Sequence, residues 1–534
     1  MSKIIGISSS GHDVGCSLIV DGNIIFALEE EKLTGIKSCN NPGIFPQKTL
    51  ELIATKFNIN LFNCDYISVA RSKYYSFKNF PQKYQVENIR NKITSVSHHK
   101  CHNMGAYYTS GMNGKVISLS LDGSGVRSRG KIYLCEDGKT DLIHSEWAAI
   151  SSSLANIWGF SVNYMGWKIL KDEGKLVGLA GHGKVNKKIY EYLNMCHYYE
   201  NLSFKGSGWL SMFIFICNKL KQDSWFTDEN KRADYAATLQ KFSEDNIYKL
   251  LFDIKKQYPE YTKLCLSGGL FANVKLNQFI NESNLYDEIF IHQAMGDSGL
   301  ALGAAICKSV ELSEIITPLK PKTVYLGESF TKHDWELLLK MPEYMDVSCE
   351  ILNISKVASL INNGNVLGIF IGKTEYGPRA LGNRSIVVRP TDIETHKKLN
   401  KRLNRNEIMP FAPSVLEEYA DEIFYCKKSK YTAEFMTLCY QTKDEWIDKI
   451  PAVVHYIDKS SRPHIVKKEV NELYYTIIDE YRKISGIPIV LNTSFNTHGT
   501  PINNYPKQVM QHLLDKSVDY IITEDFILTL LIKK

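Results

Sequence analysis

The chain has 534 residues, more than one hydrophobic core usually organises, so two or more domains are expected. Hydrophobic residues make up 44% and charged residues 23% of the chain, as is usual for globular proteins. The formal net charge of +6 is small for this length and no long basic run occurs. The sequence therefore predicts neither nucleic-acid binding nor attachment to a membrane surface.

The cysteine pattern indicates a reducing compartment. The 12 cysteines are spread singly along the chain, without a C-x-x-C pair. We therefore expect reduced, buried thiols in a cytoplasmic protein. The amino terminus begins directly with a strand pattern, so no signal peptide is expected. The longest apolar runs, 210–217 and 526–532, fall short of the ~20 residues that a membrane-spanning helix needs.

The chain opens with short strands separated by polar turns. A strand is predicted at Lys3–Ser8, and two more at 16–20 and 24–28, on either side of Asp21-Gly22. Since Asp-Gly favours left-handed turn conformations, the last two strands should form a hairpin. This opening is similar to that of phosphate-handling folds of the actin and sugar-kinase type.

The same pattern returns after a predicted helix at Gln47–Phe57. A strand at Lys115–Leu121 leads into a polar glycine turn that begins with Asp122, and a partner strand follows at 131–136. This repetition predicts two related lobes around a cleft.

A mostly helical region, 152–261, comes next and leads to a strand at 263–266. That strand is followed by Gly268-Gly269, and Asn273 comes four residues after Gly269. A glycine turn followed by a helix lets a nucleotide approach the backbone, and the helix amino terminus favours negative charge. Another predicted strand, 287–292, precedes Asp297, and a linker is predicted at 312–323.

The second part of the chain contains a stretch rich in arginine, 374–390, directly after a predicted strand at 366–371. Its arginines are Arg379, Arg384 and Arg389. Planar guanidinium groups at a strand end suit phosphate or carboxylate oxygens, and the alternative is a surface turn with solvated charges. Further strands are predicted at 453–457 and 487–491, and helices at Ile354–Asn362 and 468–485.

A pair of histidines indicates a metal site. His98 and His102 stand four residues apart, so on a helix both would lie on one face. Core or capping roles are the alternative for such a pair alone. Two glycine-flanked carboxylates at strand ends, Asp122 and Asp297, complete a donor set that suits iron(II) or manganese. His12, in the first polar turn, is a candidate general base, with backbone capping as the alternative.

Ten motifs, in the same order, resemble the NodU/CmcH-type O-carbamoyltransferases. Seven come from the first part of the chain: GISSSGHDVGCSLIVDG, EEEKLTGIK, HHKCHNMGAYYTSG, LDGSG, GKLVGLAGHGK, LSGGLFANVKLN and GDSGLALGAA. Three come from the second: GPRALGNRS, MPFAPS and IVLNTSFNTHGTPI. They extend from residue 6 to residue 502 and so span nearly the whole chain.

The resemblance implies an α/β protein with two domains. Residues 1–322 would form an actin-like ATPase-fold domain similar to threonylcarbamoyl transferases, and residues 323–534 a YrdC-like domain. The second domain would convert carbamoyl phosphate and ATP, with Mg²⁺, into carbamoyl-adenylate. The first would transfer the carbamoyl group to a hydroxyl of a small molecule, such as a sugar or a natural-product scaffold. A homodimer is compatible with this family.

The resemblance also implies roles for individual residues. His12 would be the base that activates the acceptor hydroxyl, and the divalent metal would be bound by His98, His102, Asp122 and Asp297. Binding of the nucleotide and of carbamoyl phosphate would involve Lys175, Gly268, Gly269, Asn273, Arg379, Lys401, Arg405, Arg462, Asn492 and Ser494.

The chain departs from the family pattern at three places. Met409 replaces an arginine, His498 stands in a motif where an arginine is usual, and the sequence leaves open which of Lys401, Arg402 and Arg405 contacts phosphate. Two other functions are alternatives. A tRNA threonylcarbamoyl transferase would need a basic surface for RNA. A catalytically inactive nucleotide-binding regulator is disfavoured because the His and Asp cluster is complete.

Overall fold

The computed structural model describes residues 2–9, 11–39, 45–71, 77–147, 152–206, 208–405 and 408–531. The chain divides into two compact units. The first unit comprises Met1–Glu30 and Ser38–Pro321, and the second comprises Glu31–Lys37 and Lys322–Lys534. The segment Glu31–Lys37 thus groups with the second unit, although its neighbours on both sides in the sequence belong to the first.

The strands of the first unit are β1 (Lys3–Ser8), β2 (Gly15–Val20), β3 (Asn23–Glu29), β4 (Tyr66–Arg71), β5 (Ile93–Ser97), β6 (Lys115–Leu121), β7 (Ser128–Glu136), β8 (Lys139–Trp147), β9 (Tyr198–Glu200), β10 (Ser203–Lys205), β11 (Lys263–Ser267) and β12 (Glu288–Ile291). Helix α1 (Glu30–Thr34) spans the division between the units. The other helices of this part are α2 (Gln47–Phe57), α3 (Glu87–Arg90), α4 (His98–Thr109), α5 (Leu154–Tyr164), α6 (Glu173–Ala180), α7 (Lys187–Cys196), α8 (Trp209–Gln222), α9 (Glu229–Gln257), α10 (Val274–Glu282) and α11 (Leu300–Glu311).

The first unit contains the same sheet twice. One sheet has the order β3-β2-β1-β4-β5 and the other β8-β7-β6-β11-β12. In each, the first three strands along the chain pair antiparallel, and the two outer strands on the other side run parallel to the first. This duplicated topology confirms the expected actin-like ATPase fold.

Two helices between these sheets approach each other closely. A Cβ atom on Gly303 of α11 would lie 2.0 Å from the carbonyl oxygen of Cys101 in α4. A Cβ on Gly6 of β1 would lie 2.1 Å from the carbonyl oxygen of Ala301. Only glycine permits such contacts. The start of α4 is therefore held in a defined position relative to the start of α11.

The strands of the second unit are β13 (Val347–Ile351), β14 (Leu367–Phe370), β15 (Arg384–Val388), β16 (Ala412–Leu416), β17 (Tyr440–Gln441), β18 (Ser460–Ser461), β19 (His464–Val466), β20 (Ile489–Ser494), β21 (Tyr520–Ile522) and β22 (Phe526–Leu530). Its helices are α12 (Lys332–Leu339), α13 (Ile354–Asn362), α14 (Thr395–Arg402), α15 (Ala420–Ile423), α16 (Lys430–Ala433), α17 (Asp444–Ile447), α18 (Glu472–Ser485) and α19 (Pro506–Leu514). Eight strands form one mixed sheet in the order β13-β22-β21-β14-β15-β20-β16-β19. No helix among the described residues is long and apolar enough to cross a membrane.

The strand predicted at 453–457 is wrong. Pro451–Val453 forms a 3-10 helix instead, and a tight turn follows in which Lys459 N–H donates to the His455 carbonyl (2.8 Å). Asp458 Oδ1 accepts hydrogen bonds from the backbone N–H and the hydroxyl of Ser460. Aspartate competes in this way with ladder hydrogen bonds, so the apolar run does not become a strand. The helix predicted from Lys468 begins four residues later because Asn471 caps it.

Arg384, from the stretch rich in arginine, is a structural residue. Its side chain is fully buried, and its guanidinium donates to the carbonyls of Ile371 (2.5 Å), Gly372 (3.1 Å) and Glu328 (3.1 Å). The guanidinium carbon lies 3.8 Å from the ring centroid of Phe370. Burial lowers the pKa of Arg384 to about 10, and the charge of Glu375 opposes that shift.

Replacing Arg384 with Met should destabilise the protein by at least about 3 kcal/mol, because several buried carbonyls would lose their donors. The midpoint of urea unfolding measures this loss. Arg389→Met is the matched control, since Arg389 is only half-buried and donates to the Asn362 carbonyl at 3.1 Å. Equal losses in both variants would contradict the structural role of Arg384.

His464 should make stability depend on pH. It is buried, its Nδ1 lies 2.9 Å from Ser414 Oγ, and burial lowers its pKa to about 3. An unfolded histidine has a pKa of about 6.5, so between these values the unfolded chain binds the extra proton. The stability is therefore present above about pH 6.5 and is lost as the pH falls toward 3.

His464→Asn should remove up to one proton's share of that acid slope, about 1.4 kcal/mol per pH unit, as measured by urea unfolding between pH 6.5 and 5. His333→Asn, at an exposed position, should leave the slope unchanged. An unaltered slope in His464→Asn would show that His464 is not buried in its neutral form.

Candidate metal centre and anion site

The two histidines of the predicted metal site lie in the first turns of α4, which begins directly after β5. His98 and His102 are four residues apart, and their Nε2 atoms approach to 3.2 Å. Both side chains are buried, each residue being 3% exposed. The helix therefore directs two imidazole nitrogens toward one point.

Two carboxylates reach the same point from other elements. Asp122 directly follows β6, and Asp297 begins a 3-10 turn, Asp297–Gly299, before α11. Asp122 Oδ2 lies 3.2 Å from His98 Nε2 and 3.3 Å from His102 Nε2. Asp297 Oδ1 lies 3.4 Å from each of these nitrogens. One ligand atom from each of the four residues lies within 4.8 Å of all the others.

The electrostatics of this cluster fit a divalent cation. Burial lowers the pKa of His102, but hydrogen bonds to Asp122 and Asp297 outweigh it and raise the pKa to about 9. Burial raises the pKa of Asp122, but the hydrogen bonds to His102 and His98 hold that pKa well below its usual value. Asp297 Oδ1 is buried and faces the imidazole nitrogens of His98 and His102. Two imidazoles and two carboxylates suit borderline divalent ions.

Asp122 is held in place by backbone donors. Its Oδ1 accepts from the N–H of Gly123 (2.7 Å) and lies 3.3 Å from the N–H of Gly269. A Cβ on Gly269 would lie 2.9 Å from this oxygen. Gly268 has a φ of +97°, which glycine adopts without strain. The predicted nucleotide turn thus also supports the metal centre.

The third histidine of the motif, His99, has a different role. Its Nδ1 lies 3.1 Å from Ser120 Oγ, and its Nε2 lies 3.1 Å from the Ser128 carbonyl. Burial holds the pKa of His99 well below its ordinary value. Its neutral ring packs between α4 and the strands β6 and β7, which orients the first turns of the helix.

His12 lies beside the cluster. Its Nε2 is 3.7 Å from Asp297 Oδ2, and its Nδ1 is 3.0 Å from Asp13 Oδ2. Burial lowers the pKa of His12, but the charge of Asp297 and the hydrogen bond to Asp13 outweigh it and raise the pKa to about 10. The side chain is 32% exposed, so its ring is accessible from outside the cluster. The structure thus brings together the candidate base and the candidate ligands.

Two residues that the sequence analysis did not single out support the loop after Asp122. Arg129 Nη1 and Asn156 Nδ2 each donate to the carbonyl of Gly123 at 2.9 Å. The guanidinium of Arg129 also lies 5.6 Å from the ring centroid of Trp209. Neither residue lies in a motif quoted above, and contacts between distant segments leave no local pattern in the sequence.

Two predicted cofactor-binding residues of the first unit make intramolecular contacts. Lys175 is buried, and its Nζ lies 2.9 Å from Asp172 Oδ1. Asn273 caps α10, where its Oδ1 accepts from the N–H groups of Lys275 and Leu276. Its Nδ2 donates to Gln240 Oε1 at 2.8 Å. These contacts give both residues a structural role in the protein.

In the second unit, Arg405 organises the loop after β20. It donates to Thr493 Oγ1 (2.7 Å) and to the carbonyls of Ser494 (2.8 Å) and Asn496 (2.6 Å). Arg402 forms an ion pair with Asp519 at 2.7 Å. Lys401 is exposed on α14. Of these three cations, Arg405 therefore orders the predicted anion site, while Arg402 is committed to Asp519.

Asn492 lies in β20, on the buried side of the same region. Its Nδ2 donates to the Ala380 carbonyl at 3.0 Å, next to Arg379. Its Oδ1 is buried and makes no hydrogen bond to a described residue. Arg379 is half-buried, and so is Arg462, which follows β18. Asn492 thus retains an acceptor suited to an amide N–H.

Comparisons with known proteins identify the family of the chain. The family model for the carbamoyltransferase N-terminus matches residues 3–96 and 85–306, and the model for the carbamoyltransferase C-terminus matches residues 358–530. The uncharacterized protein MJ1058 of Methanocaldococcus jannaschii is 32% identical over 460 residues, which are 82% of this chain and 74% of that protein. Nodulation protein NolNO of Sinorhizobium fredii is 28% identical over 554 residues, which are 97% of this chain and 79% of that protein.

A solved structure of full-length HypF, in the phosphate- and nucleotide-bound form, covers 58% of this chain and 56% of its own. Its TM-score is 0.34 and its identity 15%, so the assignment does not depend on it. Both family models match in chain order and together span most of the sequence. The chain therefore belongs to the carbamoyltransferase family, of the NodU/CmcH type that its motifs indicate, and is an enzyme of that family.

Proposed function

We propose that this enzyme is an ATP-dependent O-carbamoyltransferase that uses a divalent metal. The second unit would make carbamoyl-adenylate from carbamoyl phosphate and ATP, and the first would transfer the carbamoyl group to the hydroxyl of a small molecule. The observation that supports this most strongly is the convergence of His98, His102, Asp122 and Asp297 on one point. His12, the candidate base, lies directly beside them.

The four converging residues would hold the metal, which we propose to be iron(II) or manganese, and Mg²⁺ would accompany ATP. Bound there, the ion would supply positive charge for the phosphate oxygens of the leaving group. The buried carboxylates give the site its affinity for cations, while the imidazoles favour a borderline ion over calcium or magnesium. The supporting hydrogen bonds to Asp122 keep that carboxylate from turning away.

His12 would act on the acceptor. An alcohol is a weak nucleophile at neutral pH, so a positioned base accelerates its attack. With Nδ1 donating its hydrogen to Asp13, a neutral His12 ring has Nε2 as its acceptor, and positive charge held by the four ligands would favour that neutral form by opposing the charge of Asp297, which raises the pKa of His12. The acceptor oxygen would then form a bond to the carbamoyl carbon while the bond from that carbon to the adenylate oxygen breaks. The hydroxyl proton passes to His12 Nε2, and AMP leaves.

The second unit would prepare the activated group. Carbamoyl phosphate and water give carbamate and inorganic phosphate. A carbamate oxygen then attacks the α-phosphorus of ATP, and pyrophosphate leaves. Arg379, Arg405 and Arg462 would bind the phosphate groups. Asn492 Oδ1 would accept from the carbamoyl NH₂ group, and the Ser494 hydroxyl would contact the same group.

The adenylate step predicts that the purified protein releases pyrophosphate from ATP only when carbamoyl phosphate is present. A coupled pyrophosphate assay measures this release. Asn492→Ala should slow it at least about tenfold, because a buried acceptor for the carbamoyl group is lost. Asn363→Ala, at an exposed position, is the control. If the wild-type protein forms no pyrophosphate, the proposed adenylate step is wrong.

The metal centre predicts that His98→Ala combined with His102→Ala abolishes binding of iron(II) or manganese. Two of four ligands would be lost, and two carboxylates without an imidazole are too few and too hard a donor set for a borderline ion. Metal content after equilibration, measured by inorganic mass spectrometry, should fall from about one ion per chain to none. His333→Ala should retain the ion. Full metal content in the double variant would refute the assigned ligands.

A further inference from the structure

A buried lysine from near the start of the chain contacts the stretch rich in arginine. Lys32 is 1% exposed and lies in α1, within the segment Glu31–Lys37 that groups with the second unit. Its Nζ donates to the carbonyl of Glu375 (2.5 Å) and to the carbonyl of Gly377 (2.9 Å). Residues more than 340 positions apart in sequence are thereby joined.

The loop that Lys32 contacts, residues 375–384, is also held together by hydrogen bonds between its own two ends. Glu375 is fully buried, and its Oε1 accepts from the backbone N–H groups of Leu381, Asn383 and Arg384, each at 2.9 Å. Lys32 therefore binds the backbone carbonyl of Glu375, while the carboxylate of Glu375 binds the backbone N–H groups at the other end of the loop. Arg379 lies midway between these two attachments.

The positive charge of Lys32 indicates a role beyond hydrogen bonding to two carbonyls. Burying an ammonium group costs several kcal/mol unless it is well bonded. Two backbone carbonyls could be satisfied by a neutral donor at a much smaller cost. A cationic donor adds positive charge beneath the loop, where the carboxylate of Glu375 would otherwise weaken the attraction for an anion. The arrangement therefore favours both a fixed backbone and anion binding.

We infer that Lys32 is a positioning residue for Arg379. By holding the carbonyls on either side of Tyr376, Lys32 fixes the start of the loop 375–384, so that the guanidinium of Arg379 is ready to bind phosphate. The predicted effect of Lys32 on catalysis rests on the proposed function. Its predicted effect on the conformation of the loop does not. Anion binding in the second unit would thus depend on a residue encoded before residue 40 of the chain.

The test uses the full-length chain with Lys32→Met, Lys32→Gln and Lys32→Arg. Hydrogen exchange of the amides in residues 375–384 reports the loop, and calorimetric titration with inorganic pyrophosphate reports anion binding. Lys32→Met should speed exchange in this segment and weaken pyrophosphate binding at least about tenfold. Compared with Lys32→Met, Lys32→Gln should slow hydrogen exchange in the loop more than it strengthens pyrophosphate binding, because glutamine donates hydrogen bonds but carries no charge. Lys32→Arg should restore both in part.

The control is Lys308→Met, which removes another buried lysine, ion-paired with Glu311 at 2.7 Å in the first unit. It should leave exchange in 375–384 and pyrophosphate binding unchanged. In the pyrophosphate-release assay, Lys32→Met should raise the KM for carbamoyl phosphate more than it lowers kcat. A merely structural lysine would instead lower the amount of folded enzyme without changing KM.

Unchanged exchange and unchanged pyrophosphate binding in Lys32→Met would overturn the inference. So would the same binding loss in Lys308→Met. If Lys32→Met does not fold, the difference between Lys32→Gln and Lys32→Arg decides, and equal pyrophosphate affinity in these two would overturn the role of the charge. A wild-type protein that forms no pyrophosphate would refute the proposed function alone, because the exchange and binding measurements do not need turnover.

Discussion

The structure of the first unit depends on holding two carboxylates and two imidazoles within hydrogen-bond distance of one another in a buried place. Asp122 and Asp297 come from different parts of the chain, yet both lie within 3.4 Å of the same two imidazole nitrogens. Two buried carboxylates repel each other, so this placement is stable only with positive charge between them. The same carboxylates raise the pKa of His102 to about 9, against the effect of its burial.

In the second unit, the buried charged side chains of Arg384 and Glu375 bond to backbone groups. Arg384 is surrounded by carbonyl oxygens, and Glu375 accepts backbone N–H groups, so each charge is used to shape the backbone. Arg405 does the same for the loop after β20. The guanidinium groups of Arg384 and Arg405 thus make hydrogen bonds within the protein. Their charges still contribute to the local potential, and the buried Oδ1 of Asn492 makes no hydrogen bond to a described residue.

Much of this architecture was predictable from the sequence. The Asp-Gly hairpin, the strand at Lys115–Leu121 and the helices Gln47–Phe57 and Ile354–Asn362 have the predicted type and position, because their apolar periodicity agrees with their turn residues. The spacing of His98 and His102 predicted a shared helical face, which α4 provides. The strand prediction for 453–457 was wrong because the apolar composition of this run is typical of a strand, whereas Asp458 favours a turn.

Contacts between distant segments were not predictable in the same way. The bond from Lys32 to Glu375 and the support of Gly123 by Arg129 join residues with no common local pattern. The neutral state of His99 likewise depends on Ser120 and Ser128, which only the folded sheet brings near. The central claim, that His98, His102, Asp122 and Asp297 bind one metal ion, is tested most directly by anomalous X-ray diffraction from crystals equilibrated with manganese. We predict one strong anomalous peak within coordination distance of all four side chains, and a peak elsewhere, or none, would contradict the account.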